Sequence, residues 1–165
     1  MAVTASTTAP GDKDLWQTPP HLFGRLARDY GPFDLDAAAR STNALCSRWL
    51  GPGGLVEDAL AVDWAAYGRR VFLNPPYSQP LLTTFVSHAA NQVHLGVERV
   101  VCLLPATTEV RWFQMYVYDY FRRRWRPGVS VEFLPGRVHF VRPGGAPAVN
   151  PPAGSLVVIF DPPSD

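Results

Sequence analysis

Three uninterrupted apolar runs constrain this chain more than any other feature: VFL at 71–73, RVVCLLPA at 99–106 and SLVVIF at 155–160. A strand with one wet face alternates apolar and polar residues. A continuous apolar run of strand length belongs to a strand buried on both faces. Such a sheet needs a layer on each side, and helical patterns lie between the runs. Thr18 and Pro19 read as the cap and first turn of a helix that carries Leu22, Phe23, Leu26 and Tyr30 and stops at Gly31. Phe33 to Ala37 is a short strand candidate, and Ala38 to Leu50 a second helix closing at Gly51-Pro52-Gly53-Gly54. A short element ending in VDWAAYGRR fills 55–70. Ser78-Gln79-Pro80 open a helix with Leu82, Phe85, Val86, Ala89 and Val93, ended by Gly96. TEVRWFQMYVYDYFRRRW (108–125) has helical spacing through Trp112, Phe113, Tyr116, Val117, Tyr120 and Phe121, an aromatic stripe that reads as core. VSVEFL, RVHFV and SLVVIF follow as strands, with a Pro/Gly-rich loop at 142–154. The expectation is an α/β fold, its sheet mainly parallel with an antiparallel C-terminal addition.

The chain's 165 residues, 47% of them apolar, suit one domain with a core of its own. No stretch approaches eighteen unbroken apolar residues, so no spanning helix is expected. MAVTASTTAPGDKD has neither a basic start nor an apolar run. Residues 1–14 therefore read as a disordered arm rather than a signal peptide, 15–165 as the folded domain, and the location as cytoplasmic. Cys46 and Cys102 stand alone and the four histidines lack ligand spacing, so no metal is expected. Neither a GxSxG turn nor a P-loop is present. The net charge of +1 hides an uneven distribution, for Arg99 to Arg142 hold eight arginines against three acids. Such a sector can seat a polyanion or be a solvated helix end, and charge alone does not choose.

At the end of the VFL strand stands Asn74-Pro75-Pro76-Tyr77. Asn-Pro is an ordinary turn signal, and the plainest reading is that the strand ends there. The alternative is chemical. Two prolines remove two backbone donors and fix φ, and the residue before each is pushed towards extended backbone. The Asn74 amide oxygen and the Pro75 carbonyl can then face outward as a fixed pair of acceptors, with the flat face of Tyr77 beside them. That set fits a planar ring bearing an exocyclic amine.

NPPY resembles the motif of S-adenosylmethionine-dependent amino methyltransferases. Its surroundings are WQTP (16–19), FDLDAAA (33–39), DW (63–64), NPPYS (74–78), LLPATTEVRWF (103–113) and GRVHF (136–140). In that order they resemble the phage-type DNA N6-adenine methyltransferase family over about residues 15–160. The resemblance implies a single Rossmann-like methyltransferase domain, bound S-adenosylmethionine and double-stranded DNA from which an adenine is flipped. It implies that Asn74 and Pro75 accept the two N6–H bonds, that Pro76 shapes the turn and that Tyr77 stacks on the base. Near the cofactor it implies Trp16, Thr18 and Pro19, either Asp34 or Asp36 with Ala37, and the pair Asp63-Trp64. The glycine-rich FxGxG of many methyltransferases is absent, and alanines stand in its place. Phosphate contacts are expected from Arg122, Arg123, Arg124 and Arg126 and further DNA contacts from Ser78 and Arg137, with the loops 78–84 and 142–154 as candidates to insert beside the flipped base. No stretch is left for a separate target-recognition domain, so short or loose sequence specificity is expected. A cytosine-N4 or other amino methyltransferase, or an inactive DNA-binding protein of the same fold, are the alternatives.

Overall fold

A computed structural model describes residues 12–146 and 151–164. The first eleven residues of the expected arm and part of the 142–154 loop lie outside the described residues. Residues 12–14 fall in the 3₁₀ turn Asp12–Leu15. Helix α1 spans Pro20–Tyr30, with Pro20 at its first position, where a missing N–H costs nothing, and with Leu22 and Leu26 buried. Its cap is Pro19, not Thr18, and no side chain bonds to its first turn.

Strand β1 is only Leu35–Asp36, followed by β2 (Arg70–Leu73), helix α2 (Leu81–Gln92) and β3 (Arg99–Pro105). After them come β4 (Tyr118–Asp119), β5 (Arg124–Trp125), β6 (Val129–Phe133) and β7 (Ser155–Phe160). The main sheet has five strands in the order β1-β2-β3-β7-β6. β1, β2 and β3 are parallel; β7 runs antiparallel to β3 and β6 antiparallel to β7. The sheet is thus mixed, a parallel half joined to an antiparallel half. The apolar runs are double-faced as their composition requires. Val100, Cys102 and Leu104 join a core with Trp64, Phe85 and Trp112, while Val101 and Leu103 face Trp16, Leu26 and Phe140 on the other side.

Three expected elements are absent, each displaced by a polar competitor or a different partner. Residues 38–50 form turns rather than a helix. The Asp36 carboxylate accepts the Ala38 and Leu45 N–H groups, and Asn43 accepts from Arg40 N. Side-chain acceptors of this kind draw backbone donors away from helix formation. The returning chain bonds alongside β1, from Asp36 N to Arg48 O and from Leu50 N to Asp36 O. Gly51 closes this return at φ +127°, where a side chain would collide with the Ala39 carbonyl. The long helix expected at 108–125 shrinks to a π-helical turn, Phe113–Val117, leading into the β4–β5 hairpin. Asp119 accepts from Arg122 at 2.9 Å across the hairpin's turn and lies 3.2 Å from Arg126 towards its base, while Trp125 packs edge-on against Tyr118. Trp112, Phe113 and Val117 are core, but Tyr120 and Phe121 are exposed, so the aromatic stripe is only half buried. The expected strand at 137–141 reduces to one bridge between Gln17 and Val141, because β7 finds its partners in β3 and β6.

Candidate active site

The parallel strands β1 and β2 end side by side, and a cleft of about 430 Å³ opens there. That volume and position suit a small-molecule ligand of an α/β sheet. Its walls come from well-separated stretches of chain: Asp14 to Thr18, Asp36 and the loop after it, Glu57 to Leu60, the end of β2 with Asn74 and Pro76, Leu81 and Phe85 of α2, and Pro143.

Asn74 is oriented from outside its own loop. Its Nδ2 donates to the Trp16 carbonyl at 3.1 Å. An amide oxygen in that position would repel the carbonyl, so the geometry assigns the nitrogen there and leaves Oδ1 as an acceptor at the cleft. Pro75 is buried and Pro76 half-buried. Tyr77 is held rigidly: its hydroxyl donates to Leu103 O at 3.0 Å, and its ring meets Trp16 and Phe140 edge-on at 6.3 and 5.9 Å. Burial pushes that hydroxyl's pKa well above the ordinary tyrosine value, so it stays protonated and keeps its bond. Pro75 and Tyr77 flank the cleft without lining it.

Trp16 stacks on Phe140 at 5.4 Å, and its Nε1, like the Thr18 hydroxyl, is buried without a hydrogen-bond partner. Both residues line the cleft. Unpaired buried donors are costly, and two of them around one cavity are what a polar ligand would satisfy. Asp36 and Ala37 also line it. Burial pushes the Asp36 carboxyl up to about 6, against the opposing pull of its two backbone hydrogen bonds.

Other expected contacts fall elsewhere. Asp34 sits at the amino end of β1, where its carboxylate accepts from the N–H groups of Arg69 and Arg70 at 3.0–3.1 Å. It ties β1 to β2 and is not a cleft residue. Trp64 is wholly buried; its Nε1 donates to Ala59 O and its N–H to Gln92 Oε1. Asp63 is exposed at the start of the 3₁₀ turn Trp64–Ala66, and Pro19 is buried at the head of α1. None of the three lines the cleft. Asp58 does line it, and its Oδ1 caps the turn Ala59–Ala61 by accepting from Leu60 N at 2.9 Å. Sequence reasoning missed it, although an acid pair directly before the apolar ALAV is a visible capping signal. It also missed Asp14, which lines the cleft and accepts from Ser78 N and Oγ at 2.7 and 2.5 Å. Ser78 is therefore committed within the protein.

The arginine run lies away from this cavity. Arg126 is three residues before Val129, which pairs with Phe160 opposite Val100 near the amino end of β3. Asp119 engages Arg122 and Arg126, and the first of these bonds holds its carboxyl below the usual carboxylate range. Arg123 and Arg124 have no ion pair among the described residues. Arg137 donates to the Pro151 carbonyl. Among the described residues, no three His, Cys, Asp or Glu side chains gather as a metal site, and no helix is long and apolar enough to cross a membrane.

Fold and site together define an α/β protein with a cleft at the carboxyl ends of its parallel strands, several polar side chains in its lining and an oriented amide acceptor among them. The family described as DNA N-6-adenine-methyltransferase (Dam) matches residues 5–164, and the chain belongs to that family. It is 37% identical over 116 residues to a "DNA N-6-adenine-methyltransferase" of Haemophilus phage HP1 (strain HP1c1), across 70% of this chain and 63% of the relative. It is 34% identical over 108 residues to a protein of the same name from Escherichia phage T1, across 66% of this chain and 42% of that one. A "Putative methyltransferase YfdM" of Escherichia coli (strain K12) is 35% identical over 68 residues, 39% of this chain and 71% of its own. The chain thus spans less than two thirds of either phage protein.

Proposed function

We propose that this chain is an S-adenosylmethionine-dependent methyltransferase acting on the N6 amine of an adenine flipped out of double-stranded DNA, on a Rossmann-like methyltransferase domain, in the cytoplasm of a bacterial or phage-infected cell. The observation that carries this reading is the amide of Asn74, held by the Trp16 carbonyl so that its oxygen is free to accept.

The cleft residues fit the methyl donor. Trp16 Nε1 and the Thr18 hydroxyl suit its carboxylate, Asp58 its ribose hydroxyls, and the buried carboxylate of Asp36 its positive charge. When bound, that donor supplies an electrophilic methyl group on a sulfonium. The protein's own work is on the acceptor. Adenine N6 is a poor nucleophile because its lone pair is delocalised into the ring. Two acceptors, Asn74 Oδ1 and the Pro75 carbonyl, draw its hydrogens out of the ring plane and localise the lone pair for in-line attack. The donor would supply its methyl group to that lone pair and keep the electrons of the broken S–C bond, and one N6 proton would leave to solvent. Tyr77, with its ring fixed by the Leu103 bond, provides a stacking face for a base that must leave the duplex to be reached. Arg123 and Arg124, distant from the cleft, suit phosphate contacts with flanking duplex, and Arg137 lies on the segment leading to the loop beside the cleft.

The test is mass spectrometry of nucleosides from duplex DNA incubated with the protein and labelled donor. Wild type is expected to give N6-methyladenine. Asn74→Ala should lower kcat about 10²- to 10³-fold, the scale for losing one preorganised group. N4-methylcytosine would overturn the base assignment, and full activity in Asn74→Ala would overturn the acceptor role.

A further inference from the structure

We propose that Asp14 is a positioning residue for this transfer: its carboxylate latches an N-terminal strap, residues 14–18, across the end of β2, and so keeps Asn74 turned with its oxygen outward. The inference rests on the proposed role of Asn74. Its motivation is a shortage of backbone donors. Pro75 and Pro76 offer no N–H, so the loop after β2 has little with which to fix itself and must be held from outside. The first residue past the motif, Ser78, supplies the hold, giving both its N–H and its hydroxyl to one carboxylate, at 2.7 and 2.5 Å.

The strap is pinned at both ends. Asp14 fixes one end to Ser78, and Gln17 exchanges two backbone bonds with Val141, at 2.8 and 3.0 Å, at the other. Between these pins lies Trp16, whose carbonyl receives Asn74 Nδ2 and whose ring stacks on Phe140. Removing the carboxylate frees the end that bears on β2. The Trp16 carbonyl then loses its fixed place, and the Asn74 amide loses the partner that sets its orientation. A flipped amide would present NH₂ donors to an amine that needs acceptors. The loss is therefore one of chemistry at Asn74 rather than of substrate affinity, which separates a latch from a merely structural contact.

The experiment compares Asp14→Ala, Asp14→Asn, Asn74→Ala and the double variant Asp14→Ala/Asn74→Ala. Asp14→Ala is expected to lower kcat about ten- to a hundredfold with the KM for DNA changed less than threefold. Asp14→Asn, which can still accept from Ser78 N–H, should recover most of that rate. In the Asn74→Ala background the Asp14 substitution should cost little more, since residues acting as one unit are not additive. Additive losses, or a change in KM alone, would overturn the latch. A second readout needs no turnover: the side-chain amide protons of Asn74, followed by NMR, should shift and exchange with solvent at least tenfold faster in Asp14→Ala. Unchanged Asn74 signals would overturn the latch even where wild type methylates DNA. A wild type that makes no methylated base, with the amide shift still present, would remove the proposed reaction and leave the latch standing.

Discussion

Asp36 is a carboxylate in a place where ionisation is costly. Burial raises it from the ordinary aspartate value to about 6. A group whose folded pKa is raised contributes stability that is fully present below its unfolded pKa and lost as pH rises through the folded one. For Asp36 that window runs from about pH 4 to 6, with a cost on the order of 3 kcal/mol above it. A cationic ligand in the cleft would reverse the cost by favouring the ionised form. Affinity for S-adenosylmethionine is therefore expected to rise about tenfold between pH 5 and pH 7.5, measured by titration calorimetry in buffers of differing ionisation enthalpy, with proton release on binding at the lower pH. A pH-independent affinity would place the sulfonium away from Asp36. Asp34 and Asp36 are indistinguishable as letters, two apart in FDLD. A neighbour decides between them: Asp34 meets the Arg69 and Arg70 amides across the sheet, whereas Asp36 faces the cleft. That pairing is non-local, so the sequence could narrow the cleft acid of FDLD to two candidates and no further.

At the scale of elements, the β4–β5 hairpin shows how a correct period can mislead. Helical spacing through residues 112–121 is real, and its first turn does bury Trp112, Phe113 and Val117. It fails where Asp119 gathers Arg122 and Arg126, and the chain reverses through Arg123 at φ +51°. The same competition, Asp36 against the amides of 38 and 45, removed the expected helix at 38–50. Both misses arise from a polar side chain taking backbone or side-chain donors that a pattern of apolar residues cannot reveal. The hairpin carries its own prediction. Arg123→Ala/Arg124→Ala should weaken DNA binding uniformly across sequences and flatten the plot of log K against log salt by up to about 2. Fluorescence anisotropy at several salt concentrations would read this, with Arg122 and Arg126 left in place to keep their bonds to Asp119 in the hairpin. An unchanged slope would take the hairpin off the path of the DNA.

For the whole molecule, the features most legible in sequence were those fixed by the sheet. Strands buried on both faces had to be continuous apolar runs, and the polar residues at the ends of β1 and β2 had to meet because parallel neighbours end together. Less legible was the closure of the cleft, built by the strap, the loop after Asp36, the turn at Asp58, the end of β2, the start of α2 and Pro143, stretches distant in sequence. A ligand that touches several of these stretches adds bonds between them, and it should stabilise the fold as a unit. At a hundred times its dissociation constant, S-adenosylmethionine is expected to add about 2.7 kcal/mol. For a domain of this length that is a rise in Tm of roughly 5–11 °C, readable by differential scanning fluorimetry. Asp58→Ala should reduce the rise at a fixed donor concentration by weakening the ribose contact. Asp63→Ala, at a residue off the cleft, should leave it unchanged. The reverse pattern would return the adenosine end of the donor to the DW pair and move the ligand out of this cleft. A rise as large as that of wild type in both variants would mean that neither acid touches the donor, leaving Asp58 only its bond to Leu60 N.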